Sequence, residues 1–173
     1  MISIKRISIS ELPNVILNSY KGDADLLNTQ HVFPFEDVES AVDCTFGMIQ
    51  QMAAEKKLNI YKVICQKKGI GYFVTFDNYL FSFCINIKYR NRDVLTGWWQ
   101  QVKKSLDKNF LCILYPHQSR AQKFLRKNGM IMLEFDKENN AVILQHHNIK
   151  NNKNDSAYQD ARNVRSRQDS VLE

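Results

Sequence analysis

Three runs rich in β-branched and aromatic residues follow one another with only short turns between them, and this stretch narrows the choice of fold more than any other part of the sequence. Ile60 to Gln66 is the first, Ile70 to Phe76 the second and Tyr79 to Lys88 the third, with Lys67-Lys68-Gly69 and Asp77-Asn78 between them. Strand-favouring residues joined by tight turns predict consecutive antiparallel hairpins. What flanks this sheet has a different period. Val38, Ala41, Val42, Thr45, Ile49, Met52 and Ala53 fall on one helical face behind the acidic pair Glu36-Asp37, predicting a helix over 37–55. On the other side Val94, Trp98, Val102 and Leu106 recur four apart and predict a second amphipathic helix from Arg92.

The ends of the chain complete the order. Alternation from Ile2 to Ile9 predicts a half-buried strand closing near Ser10-Glu11, with Ser10 capping a helix that carries Leu12, Val15, Ile16 and Tyr20, and Pro13 in its first turn. Lys21-Gly22-Asp23 ends that helix, and Phe33-Pro34-Phe35 belongs to a loop over the core. Phe110 to Leu114 is a continuous apolar run, read as a strand buried on both faces. A short helix capped by Ser119 or a neighbour then runs to Asn128, Gly129 stops it, and Met130–Phe135 with Ala141–Gln145 form a last hairpin.

One domain accounts for this pattern. The chain has 173 residues, 44% of them hydrophobic, which is enough for a single core over residues 1–147. After His147 the composition turns to Asn, Lys, Asp, Ser, Arg and Gln, so 148–173 is expected to be a polar tail or arm that folds only against a partner, with Tyr158, Arg162 and Arg165 as contacts. No apolar run reaches membrane-spanning length and the first residues do not open a signal peptide, so no membrane partner is expected. Cys44, Cys65, Cys84 and Cys112 are far apart, each in an apolar stretch, and read as free buried thiols; no spacing suits zinc, and no metal is expected.

Charge is divided along the chain. Residues 1–55 hold three Lys/Arg against eight Asp/Glu, while 56–147 hold sixteen against six. Such a layout favours docking of the acidic part on the basic part, within one molecule or between copies. The adjacent Trp98 and Trp99 point about 100° apart on a helix, so only one is expected squarely in the core and the other is a candidate partner contact.

The order strand, two helices, three antiparallel strands, helix, strand, helix, hairpin resembles that of the GNAT acetyltransferases. Gln118-x-x-Ala121-x-x-Phe124-Leu125-x-Lys127-x-Gly129-Met130 is similar to the family's late motif, in which a short helix packs beside the cofactor. The resemblance implies an α/β domain with a mixed, mostly antiparallel central sheet flanked by helices. It also implies a pyrophosphate-binding turn after the fourth strand, where glycines normally let backbone N–H groups approach the phosphates of acetyl-CoA at a helix N-terminus. Here that segment is Lys88-Tyr89-Arg90-Asn91-Arg92-Asp93, without glycine, and Gly97 comes too late. The position of the family's proton-donating tyrosine is Leu125.

From these losses the expected function is a non-catalytic GNAT-fold structural or interaction protein without a cofactor. The chain further resembles small GNAT-like virion proteins of short-tailed bacteriophages. That likeness implies a component of a capsid, portal or tail assembly, found in the virion or in the host cytoplasm before assembly. Its partners would be other virion proteins or copies of itself, with packaged DNA nearby. The alternative is an N-acetyltransferase that binds acetyl-CoA through Arg90, Asn91, Arg92 and Gln118 at a divergent site.

Overall fold

A computed structural model of the chain describes residues 1–29, 35–138 and 140–146. The Phe33-Pro34 part of the expected loop and the whole 148–173 segment, with Tyr158, Arg162 and Arg165, lie outside the described residues.

Seven strands form one sheet in the order β1-β2-β3-β4-β5-β7-β6. They are β1 (Ile2–Arg6), β2 (Leu58–Cys65), β3 (Lys68–Phe76), β4 (Tyr79–Ile85), β5 (Leu111–Leu114), β6 (Met130–Asp136) and β7 (Ala141–His146). Five helices accompany them: α1 (Leu12–Tyr20), α2 (Ala24–Thr29), α3 (Val38–Glu55), α4 (Arg92–Ser105) and α5 (Ser119–Lys127). Every neighbouring pair is antiparallel except β4 and β5, which run parallel and are in register only at Tyr79 with Leu111 and Leu80 with Cys112.

The central hairpins form as expected, with a different first turn. Gln66 and Lys67 both take positive φ, 49° and 65°, the pair of left-handed residues a two-residue turn needs to match strand twist. The strands therefore start earlier than Gly69 and the register follows from Leu58 opposite Phe76. Strand β1 ends at Arg6, short of Ile9. Ser8, not Ser10, begins the helical segment: Glu11 reaches back to accept from the Ser8 N–H at 3.0 Å, and one 3-10 turn (Ile9–Glu11) leads into α1 with Pro13 in its first turn.

Two cores lie on opposite faces of the sheet. Alternation along β3 divides them: Tyr72 and Val74 face α1 and α3 while Phe73 faces α4, and a bulge that leaves Ile70 unpaired between Gly69 and Gly71 turns Ile70 to the α4 side as well. On the α1/α3 side a chain of buried hydroxyls runs from Thr45 to Tyr20 (2.8 Å), Tyr72 (3.3 Å) and Ser82 (3.2 Å), tying α3 and α1 to β3 and β4. Burial pushes the Tyr20 and Tyr72 phenols well above their ordinary range, so they act as hydrogen-bonding groups and not as acids. On the other face α4 and α5 cover β1 to β7, and Trp98 and Trp99 are both inside it, at 1% and 2% exposure. The expectation that one indole projects outward is corrected: β4 supplies Phe83 under Trp98, and Phe110 just before β5 with His146 on β7 surround Trp99, so the two directions on the helix both point into core.

Strand β5 departs from its expected burial. Cys112 and Leu114 are buried, but Ile113 is exposed, because among the described residues no helix covers the opposite face of β5; Leu133 on β6 also lies open. Gly97 serves packing. A Cβ there would lie 2.8 Å from Ile2 Cγ1, so its absence lets α4 cross β1 closely.

Candidate functional site

Strands β4 and β5 part after two residue pairs, and a cavity of about 490 Å³ opens between the far end of β4 and the turn that follows β5. Its walls are the end of β4 (Phe83, Cys84, Ile85), the start of α4 (Leu95, Trp98), the start of α5 (His117 to Ala121, Phe124) and the α1–α2 junction (Asp23, Asp25, Leu26). The sequence explains why each wall stands where it does. Asn86 ends β4: its side chain donates to Asn18 O (2.7 Å) and Lys21 O (3.1 Å), clamping the strand to the end of α1, and accepts from Lys88 N–H to start a 3-10 turn over Ile87–Tyr89. Asn91 then caps α4 by accepting from Val94 N–H at 3.0 Å.

The backbone of β4 presents one row of groups to the opening. Asn86 N–H bonds to Ile70 O on β3 at 2.8 Å, so by the alternation of an antiparallel ladder the backbone groups of Ile85, and of Phe83 two residues earlier, face the β5 side. Arg90 turns back into this space. Its Nε donates to Ile85 O at 2.6 Å, one terminal nitrogen lies 3.7 Å from Cys84 Sγ, and the same nitrogen ion-pairs with Asp23 Oδ2 at 2.5 Å. Asp23 is buried, and its other oxygen accepts from Leu26 N–H, capping α2. A residue read from sequence as the end of one helix thus also starts the next, and α2 itself went unforeseen.

A second ion pair, Arg120 with Asp25 at 2.8 Å, joins α5 to α2 at the exposed rim. Both ion pairs among the described residues link the acidic first third of the chain to its basic middle, so part of the divided charge is paired within one molecule.

The sequence-predicted residues separate by position. Arg90 and Gln118 line the cavity, while Asn91 and Arg92 sit exposed at the start of α4. Gln118 is buried and positions the β5–α5 turn: its Oε1 accepts from Tyr115 N–H at 2.9 Å and its backbone N–H donates to Tyr115 O at 3.0 Å. Leu125 is fully buried, packed in the core, so that position holds no proton donor. His117 lines the cavity and stacks on Tyr115, ring centres 5.5 Å apart.

Cys84 also lines the cavity, but burial pushes its thiol up to about 12 against the partial opposition of Arg90, so it is no nucleophile at neutral pH. Cys112 shifts the same way through burial, whereas Cys44 and Cys65 are only half-buried. Titration of the native protein with an aromatic disulfide is expected to label Cys44 and Cys65 first, with Cys84 and Cys112 reacting only on unfolding; rapid labelling of Cys84 would contradict this arrangement. Among the described residues no group of three His, Cys, Asp or Glu side chains is placed to hold a metal ion, and no helix is long and apolar enough to cross a membrane.

No protein-family model matches the sequence. No curated protein matches it either. Solved structures do share the fold. The PaiA N-acetyltransferase of Thermoplasma acidophilum in complex with coenzyme A is 16% identical, with a TM-score of 0.58 over 85% of this chain and 99% of its own. The acetyltransferase of Salmonella typhimurium that modifies the N-terminal serine of ribosomal protein L7/L12 is 11% identical, with a TM-score of 0.59 over 84% of this chain and 94% of its own. AAC(6′)-Ib in complex with ribostamycin and coenzyme A is 9% identical, with a TM-score of 0.59 over 90% of this chain and 99% of its own.

The chain therefore has the GNAT acetyltransferase fold, as expected. The expectation of no cofactor is corrected by the same structures, since two of these three hold coenzyme A on this frame. That expectation rested on missing glycines in one turn, whereas the parted strands that make the cleft are set by the end of β4 and need no glycine in that turn.

Proposed function

We propose that this chain is an acetyl-CoA-dependent N-acetyltransferase with a divergent pyrophosphate site. One observation carries the reading: β4 and β5 separate over a cavity whose β4 wall presents unladdered backbone groups. An extended ligand with amide groups can lie along such an edge as an added strand. The residues present fit that part of the cofactor, with the backbone of Phe83 and the Ile85 N–H as partners and Leu95 and Phe124 supplying apolar wall. Trp98 adds a further point of fit, because it lines the cavity and its buried indole N–H has no acceptor among the described residues.

For the diphosphate, the chain offers the exposed Lys88 and Arg92 and the first N–H groups of α4 in place of a glycine-rich turn. Bound acetyl-CoA would supply an activated acyl thioester. His117 is the group on the cavity wall suited to carry a proton during transfer to an amine. The fold's solved acetyltransferases support this reading over a non-catalytic assembly role, for which no comparison speaks.

Calorimetric titration with coenzyme A, followed by an acetyl-transfer assay over an amine panel, tests it. Expected are micromolar binding, about tenfold weaker in Arg92→Glu, and turnover that falls roughly 10²-fold or more in His117→Ala. Absence of coenzyme A binding at millimolar concentration would sink the proposal.

A further inference from the structure

The Asp23–Arg90 pair has two unequal members. Asp23 is fixed: its side chain is 0% exposed, and it is held at the head of α2 by its bond to Leu26 N–H. Arg90 is 29% exposed at the cavity and sits on a turn. Their contact is close without being well directed, because Asp23 Oδ2 has no aligned hydrogen-bond donor. A buried carboxylate that loses its cation stays charged at low cost only if another cation takes its place. Arg90 also occupies Ile85 O, the β4 carbonyl that faces the cleft. A ligand that displaces Arg90 must therefore bring two things, a donor for that carbonyl and a positive charge for Asp23.

We propose that Asp23 is the anchor for a cationic amine, the class of acetyl acceptor this protein takes, and that Arg90 fills the anchor in the free protein and yields it on binding. The inference rests on the acetyltransferase reading for the word acceptor, and it adds the substrate's charge and the residue that reads it. The neighbouring charges agree: Asp25 lies two residues on at the same wall, and Arg120 is drawn to its carboxylate at the rim and away from Asp23.

The test uses the full chain without coenzyme A, with putrescine as probe and 1,4-butanediol as a neutral control of the same length. Arg90→Ala is expected to melt several degrees below wild type, and putrescine at about 10 mM to recover roughly half of that loss through binding to the folded state. Butanediol should do nothing. Folding of Arg90→Ala only when putrescine is present would support the proposal equally. Arg90→Gln repeats the test should the alanine variant fold under neither condition. In Asp23→Asn/Arg90→Ala the amine response should vanish, since asparagine keeps the helix cap but not the charge.

No amine-dependent shift in either Arg90 variant, or an equal shift in the double variant, overturns the inference. Coenzyme A binding without amine rescue overturns this inference alone. Amine rescue in a protein that binds no coenzyme A overturns the acetyltransferase reading and leaves the cation site standing.

Discussion

Replacing Trp99 with alanine should cost roughly 3–5 kcal/mol of folding free energy, a large part of the roughly 5–15 kcal/mol that holds a domain together. Trp99 is 2% exposed and sits where four elements meet, with ring centres 5.6 Å from Phe110, 6.1 Å from Phe124, 6.0 Å from His146 and 6.0 Å from Trp98. Truncation leaves a void between α4, α5, β5 and β7 that these large rings cannot close by small movements. Urea denaturation should show a lower midpoint with an unchanged slope, the signature of lost stability without a change in exposed surface. Trp99→Phe should cost far less, because it keeps a ring and removes an indole N–H that is buried without an acceptor among the described residues. If Trp99 were a partner contact, as its adjacency to Trp98 suggests from sequence, alanine would change monomer stability by no more than about 0.5 kcal/mol. The measurement separates the two roles.

Period and turn chemistry made most of the fold legible before the structure. The three central strands, the α3 and α4 helices and the last hairpin follow from residues whose local preference and burial agree. Misreadings arose where a neighbour outside the local window decides. Ile113 looks buried within an apolar run, yet it is open because no helix among the described residues lies on that side of β5. Trp98 and Trp99 diverge on their helix and both find core, because a sheet face and a second helix close around α4. Asp23 reads as punctuation, and only the fold shows it to be a buried carboxylate facing Arg90 across more than sixty residues of chain.

The site was less legible than the fold for the same reason. A glycine motif is a local signal, and its loss from one turn does not close the cleft. The cleft depends on where β4 stops and on β5 pairing with only its first two residues, and this has no local signature. Arg90 and Gln118 stand at positions of a resembling motif, and their contacts within the chain are ones that motif does not foretell. One pairs inward with Asp23, and the other holds the turn before α5. His117 belongs to no motif in the sequence, and only the fold brings it to the cavity wall.

Gly71→Val should damage stability and ligand binding together, and this is the sharpest link between the sheet and the cleft. A Cβ at Gly71 would lie 2.3 Å from the Cys84 carbonyl oxygen and 3.0 Å from Ile85 Cα, both backbone atoms that cannot rotate aside. Strands β3 and β4 must move apart opposite Ile85, the residue whose carbonyl meets Arg90 and whose backbone faces the opening. Overpacking of this kind costs roughly 1–3 kcal/mol, and more when backbone must yield. The same displacement shifts the β4 wall of the cavity, so coenzyme A affinity should fall in the folded fraction as well. Gly47→Ala is the matched control: it lies exposed within α3 with nothing within 4 Å of an added Cβ, and should stabilise by about 0.5–1 kcal/mol with binding unchanged. A Gly71→Val protein that binds coenzyme A like the wild type would show that the end of β4 does not shape the ligand's seat, and would remove the physical basis for placing it in the parted strands.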